Sequence, residues 1–487
     1  MQAPENGIYQ LLLEAATAVP ESSFFLDGNR SVSYADALTI TNKVAAYLKI
    51  QGIQAGDRVL LNVGNTPEFL YAVLAIAQLG AISVLTNPVA GRFELQHYVN
   101  ESDPKLVLTF SGRLEQFKID NHSFVSKENF LLIDKAEGYK TFWESINEAE
   151  PQSDWNRPEV GEAAVIMYTA AEDGTPSGAV ICRDALYEVS TVFAESVLEN
   201  DVFIAALPLF HSFGFVSTFL IPLRSRVPFH LLGNFTPQSL VDSLRTHDIT
   251  IFTGTPVMFL AIEKRLQLEI GRLSTRLWIC GGEALPIDLQ KRFKQQLGID
   301  IRVGYGLTET SSIATFNSPA HKNKIGAAGK QMPWNEIKIV RAGREMDCGQ
   351  IGEILIKGTN VISHYFKHDQ KTGSAISNGW LRSGDLGYLD SDGNLYISGR
   401  KKKMIIKSGL NIYPKEVEKL IKKHPQVIDV KIFTYEIESI DNAKAETSEA
   451  VVTVSEQSEL NEKALKKWCR ENISSYKVPD RLVCKYI

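Results

Sequence analysis

The chain has 487 residues, of which 44% are hydrophobic and 22% charged, and its mean hydropathy is −0.10. At roughly 150 residues per domain this is a globular protein of a few domains, which excludes a disordered or fibrous chain. Lysine plus arginine number 52 against 57 aspartate plus glutamate, a formal charge of −5, so the basic footprint of a nucleic-acid binder is absent.

The first part of the chain alternates helical and strand patterns. Residues 34–50 carry apolar side chains at helical spacing, and a strand begins near Asp57. A helix over 67–79, a strand over 81–85, a helix over 92–100 and a strand over 105–109 follow. Residues 69–85 form the longest apolar run, broken by Gln78 and Gly80; it predicts a buried helix entering a strand, not a membrane span. The rhythm returns at 202–207, 215–223, 227–232, 238–246, 249–253 and 284–297, as expected for βα units with parallel sheets. From about 337 it gives way to short strands, with a hairpin signal at 390–394. The tail beyond the basic stretch 400–403 reads as strand, helix (414–423), strand (428–433), strand (450–454) and helix (459–472), with a polar exposed loop over 436–449. The five cysteines, Cys182, Cys280, Cys348, Cys469 and Cys484, have no metal-ligand spacing and read as thiols of a reducing compartment. The N-terminus has no basic segment ahead of an apolar one, so no signal peptide is expected and the predicted location is cytoplasmic.

Four segments carry chemistry. In 165–180 an apolar strand runs into a Thr/Gly/Pro-rich turn, the kind of backbone that cradles phosphate. In 303–310 glycines flank Tyr305, and Thr308 and Glu309 offer a hydroxyl and a carboxylate. In 379–387 Asp385 stands between tight turns, where a carboxylate either caps its own backbone or binds a ribose diol. The fourth, 398–418, is basic and reads by itself equally as a solvated face.

Together, in this order, these segments closely resemble the acyl-activating adenylate-forming superfamily of acyl-CoA synthetases, adenylation domains and luciferases. Segments 33–38, 56–59, 207–211, 281–286 and 352–358 fit the same pattern, so the resemblance covers about residues 8 to 483. It implies an α/β fold: an N-terminal AMP-binding body over 1–401, with two βα-rich subdomains and a small β-barrel, and a mobile α+β lid over 402–487 hinged near Lys402. It also implies a two-step reaction, in which a carboxylate attacks ATP to give acyl-AMP and a thiol then displaces AMP. By resemblance Gly281, Gly282, Glu283 and Ala284 with Tyr305 and Gly306 flank the adenine, Thr308 contacts phosphate and Glu309 is the Mg²⁺ ligand. Asp385 and Arg400 correspond to the ribose contacts, Lys402 to the hinge and Gly409 to the loop lining the thiol tunnel. His211 gates an acyl pocket to which Phe215, Gly304 and Ser311 also belong.

The chain departs from the family in two places. Its phosphate loop reads Thr169, Ala170, Ala171, Glu172, Asp173, Gly174, Thr175, Pro176, Ser177, without the usual hydroxyls and lysine. A carboxylate about 5 Å from a phosphate charge costs on the order of 3 kcal/mol at an effective dielectric of about 20. The C-terminal catalytic lysine of the family has no counterpart before Ile487, and neither Lys477 nor Lys485 aligns with it. Both differences fall on the ATP half-reaction. The expectation is an enzyme specialised for acyl-AMP plus a thiol giving thioester plus AMP, with weak or no adenylation. The alternatives are a complete ATP-dependent acid–thiol ligase, with ATP and Mg²⁺ in use, and a non-catalytic binder of acyl-AMP or acyl-CoA. Expected partners are a carboxylic-acid-derived adenylate, coenzyme A or a carrier-protein phosphopantetheine, and a separate adenylating enzyme.

Overall fold

A computed structural model describes residues 7–119, 122–150, 163–169, 174–233, 235–269, 273–401, 405–407, 410–438 and 444–487. Ala170, Ala171, Glu172, Asp173, Lys402 and Gly409 therefore lie outside the described residues.

Two sheets organise the N-terminal body. In the first, strands run in the order 177–182, 163–169, 82–85, 58–61, 106–109, 130–132, 140–141. All pairings are parallel except that between Ala163–Thr169 and Ser177–Cys182, which is an antiparallel hairpin. The segment 69–85 behaves as its pattern demands: helix Pro67–Gln78 begins with Thr66 capping the Phe69 N–H and a proline in its first turn, and it feeds strand Ile82–Leu85. Strand 82–85 is buried throughout, as parallel strands covered on both faces must be.

In the second sheet, inside the antiparallel edge strand Arg30–Ser33, strands 23–27, 229–231, 203–205, 251–254, 277–280 and 301–305 lie side by side in parallel. Hydrogen bonding then continues through antiparallel strands Thr315–Phe316, Gly329–Gln331, Asn394–Arg400, Trp380–Leu389, Gly352–Gly358 and Asn335–Arg341. The β-rich part is thus an extension of the second βα layer, joined where strand Ile301–Tyr305 ends. One large apolar cluster fills the space between the two sheets, with Phe24, Phe25, Phe69, Phe215, Phe219 and Phe229 at under 1% exposure.

The C-terminal part differs from the sequence reading in two ways. Most of 436–449 is not a loop: strands Val427–Glu438 and Lys444–Val454 form one long antiparallel ribbon, with Tyr435 opposite Thr447 and Ile437 opposite Ala445. The backbone pairing of a two-stranded ribbon needs no apolar face of its own, so the polar composition hid it. A strand at Arg481–Tyr486, absent from the sequence reading, pairs in parallel with Lys444–Val454. Helices Pro414–Ile421 and Glu462–Asn472 cover this sheet, and the small core they enclose also contacts Phe93 of the body.

Candidate active site

The site forms where strand ends of the body meet the C-terminal unit, the place where ligand clefts commonly arise. A cavity of about 1200 Å³ opens there, and its wall includes His211, Gly281, Gly282, Gly304, Thr308, Glu309, Asp385 and Arg400 from the body. Glu416, Tyr476 and Lys477 close it from the C-terminal side.

Asp385 is the most constrained polar group on this wall. Strand pairing sets it opposite Arg400, and the two make an ion pair at 2.8 Å through Arg400 Nε. Its other oxygen accepts a hydrogen bond from the Tyr305 hydroxyl at 2.7 Å. The residue is 2% exposed. Burial pushes its carboxyl up from the ordinary aspartate value, and Arg400 and Tyr305 pull against that shift. The Tyr305 phenol is raised well above its usual range, chiefly by burial and then by the facing carboxylate, so it stays a hydrogen-bond donor.

Thr308 and Glu309 occupy a short 3-10 turn, Thr308–Thr310, directly after strand Ile301–Tyr305. Thr310 bridges back to the Leu307 N–H at 2.8 Å and fixes the turn. Gly306 is required by packing: a Cβ there would lie 2.1 Å from the Ser312 carbonyl oxygen. The Glu309 carboxylate accepts from the Tyr365 hydroxyl at 2.8 Å, and Thr308 Oγ1 is 3.4 Å from Ser212 Oγ.

His211 caps helix Ser212–Phe215, its Nδ1 accepting the Phe213 N–H at 3.3 Å. The remaining ring proton therefore sits on Nε2. Burial pushes this imidazole down to about 4, so it is neutral near pH 7. The helix continues as a π-segment, Val216–Leu220, a wider turn often found beside functional sites. Val216 and Ser217 line the cavity, whereas Phe215 points away and packs against Phe69 and Phe219. Ser311 is also not on the wall: it adopts a left-handed backbone, is fully buried, and donates to the Asn360 carbonyl at 2.8 Å. Ser312 and Ile313 face the cavity in its place. Both Phe215 and Ser311 are therefore corrected as pocket residues. Glu283, Ala284 and Tyr305 are likewise not on the wall, although Gly281, Gly282 and Asp385 beside them are.

The hairpin containing the divergent loop pairs Thr169 with Ser177. Ser177 lies on the cavity wall and is 2% exposed, with its hydroxyl 3.5 Å from the Thr175 carbonyl. Beneath it Glu101 accepts the Gly178 N–H at 3.3 Å and faces His97 and His368 at 3.2 and 3.1 Å. His97 Nε2 also meets the Pro176 carbonyl at 2.7 Å. The end of the loop touches the C-terminal unit. Gly174 has φ +76°, and a Cβ there would lie 2.6 Å from the Lys415 carbonyl oxygen. Lys419 donates to Thr175 Oγ1 at 3.0 Å.

A buried charge cluster, unforeseen from the sequence, joins the two units. Lys477 Nζ sits 2.6 Å from Glu94 of the body and 2.5 Å from Glu416, and all three side chains are at most 3% exposed. The second Glu94 oxygen accepts the Ser474 N–H at 2.7 Å, the Ser474 hydroxyl at 2.5 Å and the Gly91 N–H at 2.9 Å. Burial alone would raise the Glu94 carboxyl, but Lys477 and these donors hold it below its ordinary value. Glu416 is raised, because burial outweighs its share of Lys477. The sequence signal available was a glutamate three residues after Gly91, the residue before the helix, and a lysine between Tyr476 and Val478; nothing links positions 94, 416 and 477 along the chain.

Among the described residues no group of three or more His, Cys, Asp or Glu side chains is placed to hold a metal ion. Glu309 stands on the wall as a single carboxylate, so these side chains do not by themselves build a resident metal site.

Comparison with known proteins places this geometry in a class. Residues 12–366 match the family model described as AMP-binding enzyme. A 2-succinylbenzoate–CoA ligase of Bacillus velezensis is 30% identical over 472 residues, covering 96% of this chain and 92% of that protein. A long-chain-fatty-acid–CoA ligase of Bacillus subtilis is 25% identical over 513 residues, covering 98% and 90%. The chain belongs to the AMP-binding, adenylate-forming enzymes, and among them to the acid–CoA ligases. Among solved structures, a double mutant of the Bacillus subtilis o-succinylbenzoate CoA synthetase bound to its product analogue OSB-NCoA is 26% identical with a TM-score of 0.83, covering 98% of this chain and 94% of that one. The same enzyme with its acyl-adenylate intermediate OSB-AMP gives 0.70 at the same identity and coverage. No helix among the described residues is long and apolar enough to cross a membrane.

Proposed function

We propose that this enzyme forms thioesters from acyl adenylates, taking coenzyme A as the thiol and working weakly, if at all, from ATP. The observation that carries the reading is Asp385, a buried carboxylate held between Tyr305 and Arg400 on the wall of the cavity between body and C-terminal unit. A fixed carboxylate of this kind accepts hydrogen bonds from a ribose diol. Thr308 lies on the same wall, and its hydroxyl is assigned to the adenylate phosphate. Gly281, Gly282 and Gly306 frame the adenine from the wall, Tyr305 acts from behind it by holding Asp385, and Lys402 and Gly409 are assigned the roles of hinge and thiol-tunnel loop.

In the reaction, the thiol sulfur attacks the acyl carbonyl carbon, the bond from that carbon to the AMP phosphate oxygen breaks, and the thiol proton leaves to solvent. The mixed anhydride already supplies the driving force, so the protein has to align thiol and carbonyl and stabilise the departing phosphate. The higher likeness to the CoA-analogue complex than to the acyl-adenylate complex of one enzyme supports a C-terminal unit set for this second step. For the first step, Ser177 offers a buried hydroxyl where the family carries a cation, and Glu172 and Asp173 add negative charge to the loop. If ATP is used, Glu309 would hold the Mg²⁺ that accompanies it, which neutralises phosphate charge. Of the acids named for the relatives, a long-chain fatty acid carries one carboxylate and 2-succinylbenzoate two.

The test is a side-by-side assay: ATP–pyrophosphate exchange with a panel of acids, and thioester formation from synthetic acyl adenylates plus coenzyme A. Thioester without exchange is the expected result. Exchange with any acid at a rate matching thioester formation would replace the reading with a complete ATP-dependent ligase.

A further inference from the structure

Strand Ile301–Tyr305 divides the cavity into two chemically different ends. Successive side chains of a strand point to opposite faces. Tyr305 points to Asp385 and Arg400. Gly304 points the other way: a Cβ on it would meet Ile313 and Phe316 at 3.2 and 3.3 Å. Phe316 in turn packs on Phe193, the rings tilted by 35° with centroids 5.3 Å apart. Val216, Ile221 and Ile279 complete this end of the wall, and all of these side chains belong to or pack on the main apolar core.

The cations on the wall, among the described residues, are engaged by other groups of the protein. Lys367 donates to the Glu101 carbonyl, Lys371 lies over the Tyr365 ring, and Arg382 and Lys401 pair with Glu353. Arg400 pairs with Asp385 and Lys477 with Glu94 and Glu416. Arg224, one helical turn from Ile221, stacks on Tyr187 and is not on the wall. Two polar groups on the same wall are neutral: His211, whose Nδ1 is taken by the Phe213 N–H, and Ser217, which follows Val216 and whose hydroxyl donates to the Phe213 carbonyl at 2.6 Å.

We infer that the acid this enzyme takes carries a single carboxylate, on an uncharged apolar group that fills the space beyond Gly304 between Val216, Ile279, Ile313 and Phe316. A second carboxylate there would be desolvated with no cation to meet it, which is strongly unfavourable. The inference rests on the adenylate reading above and narrows it, because it separates this chain's substrate from the dicarboxylate named for several of its relatives.

The test uses matched acyl-sulfamoyl adenosines, non-hydrolysable mimics of acyl-AMP, with binding measured by calorimetry. The pairs are 4-methylbenzoyl against 4-carboxybenzoyl, and heptanoyl against adipoyl. The neutral member of each pair is expected to bind at least 100-fold more tightly than the charged one. In Ile313→Lys, which places an ammonium at the half-buried edge of this end, the preference is expected to fall at least tenfold. Equal affinities within threefold, or tighter binding of the charged members, would overturn the inference; so would mimics that bind no better than AMP. The unmodified protein already decides the matter if the variant does not fold. The same mimic ranking without any thioester from the matching adenylates would overturn the proposed reaction and leave this inference standing. Thioester formed equally from neutral and charged adenylates would do the reverse.

Discussion

Glu94 is a buried body carboxylate that receives the C-terminal unit, and Glu94→Gln tests whether this contact sets the docking. The carboxylate accepts from Lys477, from the Ser474 N–H and hydroxyl, and from the Gly91 N–H, all at 2.5–2.9 Å. Glutamine keeps one acceptor oxygen but turns an NH₂ toward a cluster made of donors. Breaking a buried ion pair by removing one partner costs about 3–5 kcal/mol. Lys477 retains Glu416 at 2.5 Å, so its ammonium is not left alone and the lower end, about 3 kcal/mol, applies. That is roughly a hundredfold in the docking equilibrium. The body's sheets do not depend on this pair, so the loss should be local. Amide hydrogen exchange reads it directly: Ser474 and helix Pro414–Ile421 should exchange roughly a hundredfold faster, with strand Arg58–Leu61 unchanged. Lys477→Met should do more, because it leaves two buried carboxylates facing each other. Unchanged protection at Ser474 in Glu94→Gln would refute the assignment of docking to this cluster.

Asp385→Ala should weaken binding of AMP or an acyl-AMP mimic at least tenfold by calorimetry. Hydrogen bonds to a charged group contribute about 1.5–3 kcal/mol each, and the fold should survive. An unchanged affinity would remove Asp385 from the nucleotide site. His211 gives a pH signature. Its folded-state value of about 4 lies below the ordinary 6.5, so the unfolded chain binds the extra proton between them. Its contribution to stability is present above pH 6.5 and is lost as pH falls toward 4; denaturation of His211→Gln across this window should show a flatter pH dependence. Glu94 has the usual carboxylate sign, since its value is lowered. The docking it supports is present above its ordinary 4.5 and fades at lower pH, and exchange at Ser474 followed downward in pH should rise only in protein that retains Glu94.

Much of the fold was legible because it rests on local rules. The βα rhythm of the first 110 residues, the hairpin at 390–394 and helix Pro67–Gln78 with its threonine cap and proline are written in periodicity and turn chemistry. The motif segments also put Gly281, Gly304, Thr308, Glu309, Asp385 and Arg400 on one cavity wall; most sit at a strand end or turn that their own neighbours specify, but Asp385, expected between tight turns, lies inside strand Trp380–Leu389 and is placed by its pairing with Arg400. What a sequence does not carry is the direction of a side chain set by a non-local or irregular backbone. Where the helix passes into the π-segment Val216–Leu220, Phe215 faces the core and Val216 the cavity, and after the left-handed Ser311 it is Ser312 and Ile313 that reach the wall. The ribbon over 427–454 and the strand at 481–486 pair residues through backbone groups, which leave little trace in composition. The Glu94–Lys477–Glu416 cluster depended entirely on tertiary structure. Three charged residues, each ordinarily at home in water, become a buried junction only when two folded units bring both carboxylates within 2.6 Å of the Lys477 ammonium.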